Sequence, residues 1–197
     1  MIRAAVGFRV KSGWATVVLL GGSARKPTLI EHGTVNLSDP KQPAARQPFH
    51  PGLELPGPRG QRMVGRLVRG VERFARASLT GLLRGYRSRG HRVQGVGVVA
   101  GSLVDPITIG NDHIRAHAYE GRLFRTVIER AATTARLRSL VTIEKRVYAE
   151  ASRLLKRPET RLRATLASLG KNAAGPWRAE EKTAALAAWM VLARGTR

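Results

Sequence analysis

The chain has 197 residues, 43% of them hydrophobic, which is enough to bury a core of ordinary size and excludes disorder throughout. It carries 35 Lys plus Arg against 13 Asp plus Glu, a formal net charge of +22 spread over several segments, and such a field selects polyanionic partners. The absence of cysteine excludes disulfides, thiolate metal sites and cysteine nucleophiles.

The opening MIRAAVGFRVKSGW has basic and polar residues where a secretory signal needs an unbroken apolar stretch. Residues 184–193 form the longest apolar run, about half of the roughly 20 residues that cross a bilayer. The expectation is a cytoplasmic protein with no membrane partner.

Residues 4–10 and 14–20 are rich in Val, Thr and Leu around Lys11-Ser12-Gly13, the pattern of a hairpin. TLIEHGTVNL, at 28–37, supplies a third strand. Prolines then crowd between Pro40 and Pro58, which predicts an extended, mobile connection at 39–58 within a single domain spanning 1–197.

A helix follows over about 60–84, and it carries the strongest functional signal. Arg59, Arg62, Arg66, Arg69, Arg73 and Arg76 recur at spacings of three and four, one continuous stripe on a helix. Met63, Val64, Leu67, Val68, Val71, Phe74 and Ala75 fall on the opposite half of the wheel, so one side suits a core and the other a phosphate backbone. Arg84 and Arg87 extend the basic region beyond the stripe, and a separate run from Lys145 to Arg163 adds to it. Arginine greatly outnumbers lysine, which suits bidentate phosphate contacts. A solvated face and an anionic membrane surface are the competing readings of such a helix; the stripe edge lacks the exposed aromatics that a membrane would want.

RVQGVGVVA, at 92–100, reads as a buried central strand. Asn111 or Asp112 then caps a helix to about 137, LRSLVTI forms a fifth strand, and helices over 148–155, 158–169 and 178–193 complete the chain. The order of three strands, helix, strand, helix, strand, helices resembles the ribonuclease H-like fold. That resemblance implies an α/β domain with a five-stranded mixed sheet, a three-strand antiparallel meander plus two parallel strands, flanked by helices. The segment Glu180-Glu181-Lys182-Thr183-Ala184-Ala185-Leu186-Ala187-Ala188 is similar to the alanine-rich last helix of bacterial Holliday-junction resolvases.

The resemblance also implies a cluster of carboxylates holding two divalent metals, since in-line attack on phosphate needs both the entering and the leaving oxygen neutralised. Its aspartate in the first strand is replaced by Gly7, and the position of a second acid in the last helix falls near Ala184. The acids available for a catalytic role are Glu72, Asp105 and, in the last helix, Glu180 or Glu181, with Glu72, Asp105 and Glu181 the set expected. Each also has a structural reading: Glu72 as an ion-pair partner of Arg69 and Arg76, Asp105 as a turn residue before Pro106, and Glu181 as a charge at a helix start.

A second constellation lies in Asn111–Glu120. On a helix His113, His117 and Glu120 share a face, as in a small transition-metal site. Arg115 and the free N–H groups of the helix start form an alternative, a phosphate cradle. An ordinary capped helix explains the same residues and is the favoured reading, so no metal is assigned there.

The sequence therefore predicts a nucleic-acid-binding protein of ribonuclease H-like architecture, catalytically degenerate, that grips phosphates through Arg59, Arg62, Arg66, Arg69, Arg73, Arg76, Arg84 and Arg87. The alternatives are a divergent metal-dependent nuclease or resolvase, and a basic scaffold for an acidic protein partner. No cofactor is expected, and Mg2+ only for the nuclease. DNA versus RNA and the oligomeric state stay open.

Overall fold

The computed structural model describes residues 1–55, 57–171 and 173–194. β1 (Ile2–Lys11) and β2 (Trp14–Gly22) form the expected hairpin, closing from Lys11 to Trp14 through Gly13, whose φ of 84° only glycine adopts freely. β3 (Pro27–Asn36) continues the antiparallel meander on the far side of β2. β4 (His91–Ala100) pairs in parallel with β1, and β5 (Arg138–Ile143) in parallel with β4, which gives the order β3-β2-β1-β4-β5.

Helices cover both faces, so the central strands are apolar almost throughout. On one face lie α2 (Pro58–Ser88) and α3 (Asp112–Thr134). Leu67, Val71, Ala75, Leu79, Leu83 and Tyr86 make a single buried stripe along α2, packed with Val6, Phe8, Leu19, Phe124 and Ile128. Pro58 starts that helix where its missing N–H costs nothing, and Gly90, at φ 81°, follows its end. Phe74, assigned by the sequence to the same core, is only half buried; it borders a shallow groove with Glu31 and Val35.

On the other face lie α4 (Val147–Leu155), α5 (Glu159–Gly170) and α6 (Ala179–Arg194). α6 is buried on all sides from Thr183 to Leu192, sandwiched between the sheet and the other two helices. Its alanines let it approach the sheet to backbone contact. A Cβ on Gly97 would lie 2.5 Å from the Ala187 carbonyl oxygen, so both partners must stay small. No described helix is long and apolar enough to cross a membrane.

One expectation is corrected. The 39–58 connection is not an extended tether: it folds into a 3-10 turn at Pro43–Arg46 and a short helix α1 at Pro51–Glu54. Proline begins each of these turns, because its fixed φ suits a helical start. Ala45, Pro48 and Pro51 are buried, and Phe49 stacks on Tyr119 of α3 with ring centroids 5.1 Å apart. The connection is thereby laid against α2 and α3.

Candidate nucleic-acid interface and cleft

The six stripe arginines, together with Arg84 and Arg87, are all exposed, as expected for the face of α2 opposite its buried stripe. Arg59, Arg62, Arg66, Arg69, Arg73, Arg76 and Arg84 form no ion pair with a described residue. Arg87 donates to the Ala135 carbonyl oxygen at 2.7 Å. A helix of 31 residues spans about 46 Å, so the stripe is a long edge of large positive excess, its one interspersed acid, Glu72, being held by Arg130. Arg69, Arg73 and Arg76 also line a cavity of about 720 Å³ between α2 and α3. The basic run from Lys145 to Arg163 does not extend this surface, since α4 and α5 lie across the sheet. Its arginines are partly occupied: Arg146 pairs with Glu150, Arg163 with Glu159, and Arg157 sits over Trp189.

A second cavity, also about 720 Å³, opens beyond the carboxyl ends of β1 and β4. Ligand clefts of open α/β sheets lie at this end. Arg9, Lys11, Arg122 and Arg125 line it, beside Leu103, Val104, Ile109 and Ile114. Each cation is matched by one carboxylate. Arg9, nearly fully buried, meets Glu144 at 2.5 Å, and Lys11 meets Glu180 at 2.9 Å. Arg122 lies 3.4 Å from Asp105, and Arg125 3.0 Å from Glu129. The hydrogen bond from Lys11, reinforced by its charge, holds the Glu180 carboxyl below the usual range.

The fold is shared with solved structures. The structure of Thermus thermophilus RuvC superposes with a TM-score of 0.52 over 96% of this chain and 92% of that one, at 14% identity. T. thermophilus RuvC in complex with a Holliday junction substrate gives a TM-score of 0.54 over the same shares, at 15% identity. The fold is ribonuclease H-like. No family model and no curated protein matches the sequence.

Within this ribonuclease H-like frame, Gly7 has no room for the strand acid. A Cβ there would overlap the carbonyl oxygen of Ala184 and stand 2.9 Å from the amide of Ala188. Both positions at which the resemblance implies facing acids, Gly7 and Ala184, are thus closed by helix-on-strand contact. Of the three candidate acids, Glu72 pairs with Arg130 of α3 at 2.6 Å rather than with its own helix neighbours. Asp105 accepts from the Ile107 amide and faces Arg122, and Glu181 accepts from the Arg178 amide at 2.7 Å. The structure does not gather Glu72, Asp105 and Glu181 at one point; each serves a separate local contact.

The α3 constellation is assembled differently from the expectation. Of the two cap candidates Asn111 caps the helix, as the sequence allowed, its side chain accepting from Ile114 N at 3.0 Å. Arg115 donates to the Ile109 carbonyl oxygen and pairs with Asp112, so its guanidinium braces the preceding loop. His113, His117 and Glu120 do converge, and His50 from the proline-rich connection joins them. Sequence reasoning passed over His50, for nothing local links it to a helix that begins at Asp112. The signal available was an isolated Phe49-His50 pair between Pro48 and Pro51. Arg9 was passed over as well, because its role depends on Glu144 at the end of another strand.

Proposed function

We propose that this ribonuclease H-like protein binds nucleic acid along the arginine face of α2 and lacks the two-metal catalysis of the resolvases that it resembles. The observation that carries the reading is the run of exposed arginines on one side of α2, of which all but Arg87 lack an ion-pair or hydrogen-bond partner among the described residues. Surface cations are normally interspersed with acids, and a stripe of eight arginines with one acid among them is maintained against its own repulsion. A phosphate backbone relieves that repulsion and releases its condensed counterions.

The second half of the reading rests on charge. A two-metal centre needs concentrated carboxylates, whereas the corresponding end of β1 presents Arg9 and Lys11, each neutralised by one acid. A dication placed there would meet little net negative charge. The cysteine-free composition suits a cytoplasmic setting.

Fluorescence anisotropy with duplex DNA, duplex RNA, hybrid and four-way junction, with and without magnesium, tests this directly. A four-way junction belongs in the panel because RuvC is seen bound to one. If five or six arginines each neutralise a phosphate of B-DNA, log affinity against log salt has a slope of about −5. Replacing Arg66, Arg69 and Arg73 with Gln flattens it by roughly 2 to 3 units. An unchanged slope makes the stripe a solvated face, magnesium-dependent cleavage lost in Glu181→Gln promotes the nuclease, and preference for an acidic protein over all nucleic acids promotes the scaffold.

A further inference from the structure

We propose that His50, His113 and His117 bind a divalent transition metal of the zinc class, with the buried carboxylate of Glu120 orienting two of the three imidazoles. Three of the five histidines in the chain are brought to one point from segments far apart in sequence. Each offers a ring nitrogen such that all three lie within 4.8 Å of one another. Their rings meet edge to face, with centroid separations of 5.0, 4.6 and 4.7 Å. Mutually inclined rings can turn their lone pairs to a common centre, which stacked rings cannot.

The carboxylate supplies the second, independent observation. Glu120 is fully buried, and its Oε1 accepts from His50 Nδ1 at 2.7 Å. Its Oε2 lies 3.3 Å from His117 Nδ1 without completing a hydrogen bond, and is buried with no other partner among the described residues. On the far side of the ring, His50 Nε2 is buried and unpartnered too. A carboxylate behind Nδ1 selects the tautomer whose Nε2 carries the lone pair, the arrangement that orients imidazoles toward a metal.

Distances agree with this chemistry. The Nε2 atoms of His113 and His117 stand 3.2 Å apart. Two nitrogens of a tetrahedral site with metal–nitrogen bonds of about 2.0–2.1 Å are separated by roughly 3.3–3.4 Å. A buried carboxylate with one good hydrogen bond is also poorly compensated, and a dication beside its imidazole partners removes that deficit. The donor set decides the class of ion: imidazoles suit zinc, cobalt, nickel or copper, while magnesium and calcium want oxygen.

The site has a place in the fold. It ties the proline-rich connection to α3, and His117 also lines the basic cleft beyond β1 and β4. His113 and His117 are exposed, so a coordination position stays open to water or to an oxygen of a bound molecule. This reading is independent of the arginine stripe and does not require nucleic acid.

The experiment is titration of the full chain, stripped with a chelator, with Co2+ while recording visible absorption. One equivalent should develop the intense bands of four-coordinate cobalt, Zn2+ should displace it, and millimolar Mg2+ should not. His113→Ala, an exposed and structurally mild change, should weaken binding about 100-fold or more, and Glu120→Gln by about 10- to 100-fold at unchanged stoichiometry. Circular dichroism in chelator confirms that each variant is folded, and His91→Ala should bind like the parent. Failure of the parent to bind Co2+ or Zn2+ stoichiometrically overturns the proposal, and so does unchanged affinity in both His113→Ala and His117→Ala. Either failure leaves the salt slope of nucleic-acid binding untouched, so the two readings fall separately.

Discussion

Arg9 on β1 and Glu144, the residue after β5, hold each other across the sheet at 2.5 Å, with the guanidinium nearly fully buried and the carboxylate half exposed. The second terminal nitrogen of Arg9 donates to the Val10 carbonyl oxygen at 2.6 Å. A buried cation is tolerable only while paired. At this end of the sheet the chain carries a buried positive charge that one carboxylate matches.

Removing Glu144 therefore leaves a charge that burial penalises. Glu144→Ala is expected to destabilise the protein by about 1–3 kcal/mol in urea unfolding. Adding Arg9→Met to that variant should recover part of the loss, because the methionine fills the same channel without charge. A double variant weaker than Glu144→Ala alone would mean that Arg9 contributes through contacts other than the pair.

Gly7 lies too close to α6 to carry a side chain without displacing it. Gly7→Ala and Gly7→Asp each push against the backbone of α6 at Ala184 and Ala188, with expected costs of about 3 kcal/mol or more. Gly7→Asp should gain no magnesium-dependent cleavage. A stable Gly7→Asp protein, measured by thermal unfolding, would show that α6 can lift from the sheet.

The buried and exposed sides of α2 should separate cleanly. Leu67→Ala removes a buried side chain and should cost about 2–5 kcal/mol, while half-buried Phe74→Ala should cost less. For a chain of this size each kcal/mol moves the melting temperature by about 2–4 °C. Neither change should alter the slope of nucleic-acid affinity against salt, since neither removes a cation.

Lys11 and Glu180 couple stability to acid. The folded Glu180 carboxyl titrates below its ordinary value because Lys11 donates to it and attracts it. Its contribution is present above that ordinary value, and it is lost as pH falls through the lower folded value. Urea midpoints followed from about pH 6 to about pH 3 should decline less steeply in Glu180→Gln than in the parent. An identical decline would assign the acid limb to other carboxylates.

Strand and helix order, the two sides of α2 and the long apolar run within α6 were legible along the chain, because each depends on residues within a few turns of one another. Periodicity alone placed Leu67, Val71 and Ala75 inward and the arginines outward. Position 7 was also visible as a glycine where the resemblance implies an acid. What the sequence could not contain is distance between segments. Only the folded chain puts Ala184 over Gly7, Arg130 rather than Arg69 or Arg76 on Glu72, and Glu144 on Arg9. His50 shows the reason most plainly. It sits among prolines that suggest a loose connection, yet those prolines shape two turns, and burial of Pro48 and Pro51 with the stacking of Phe49 on Tyr119 carries its ring to Glu120. Local propensity is written in neighbours, whereas a site is made by side chains that meet when the core closes.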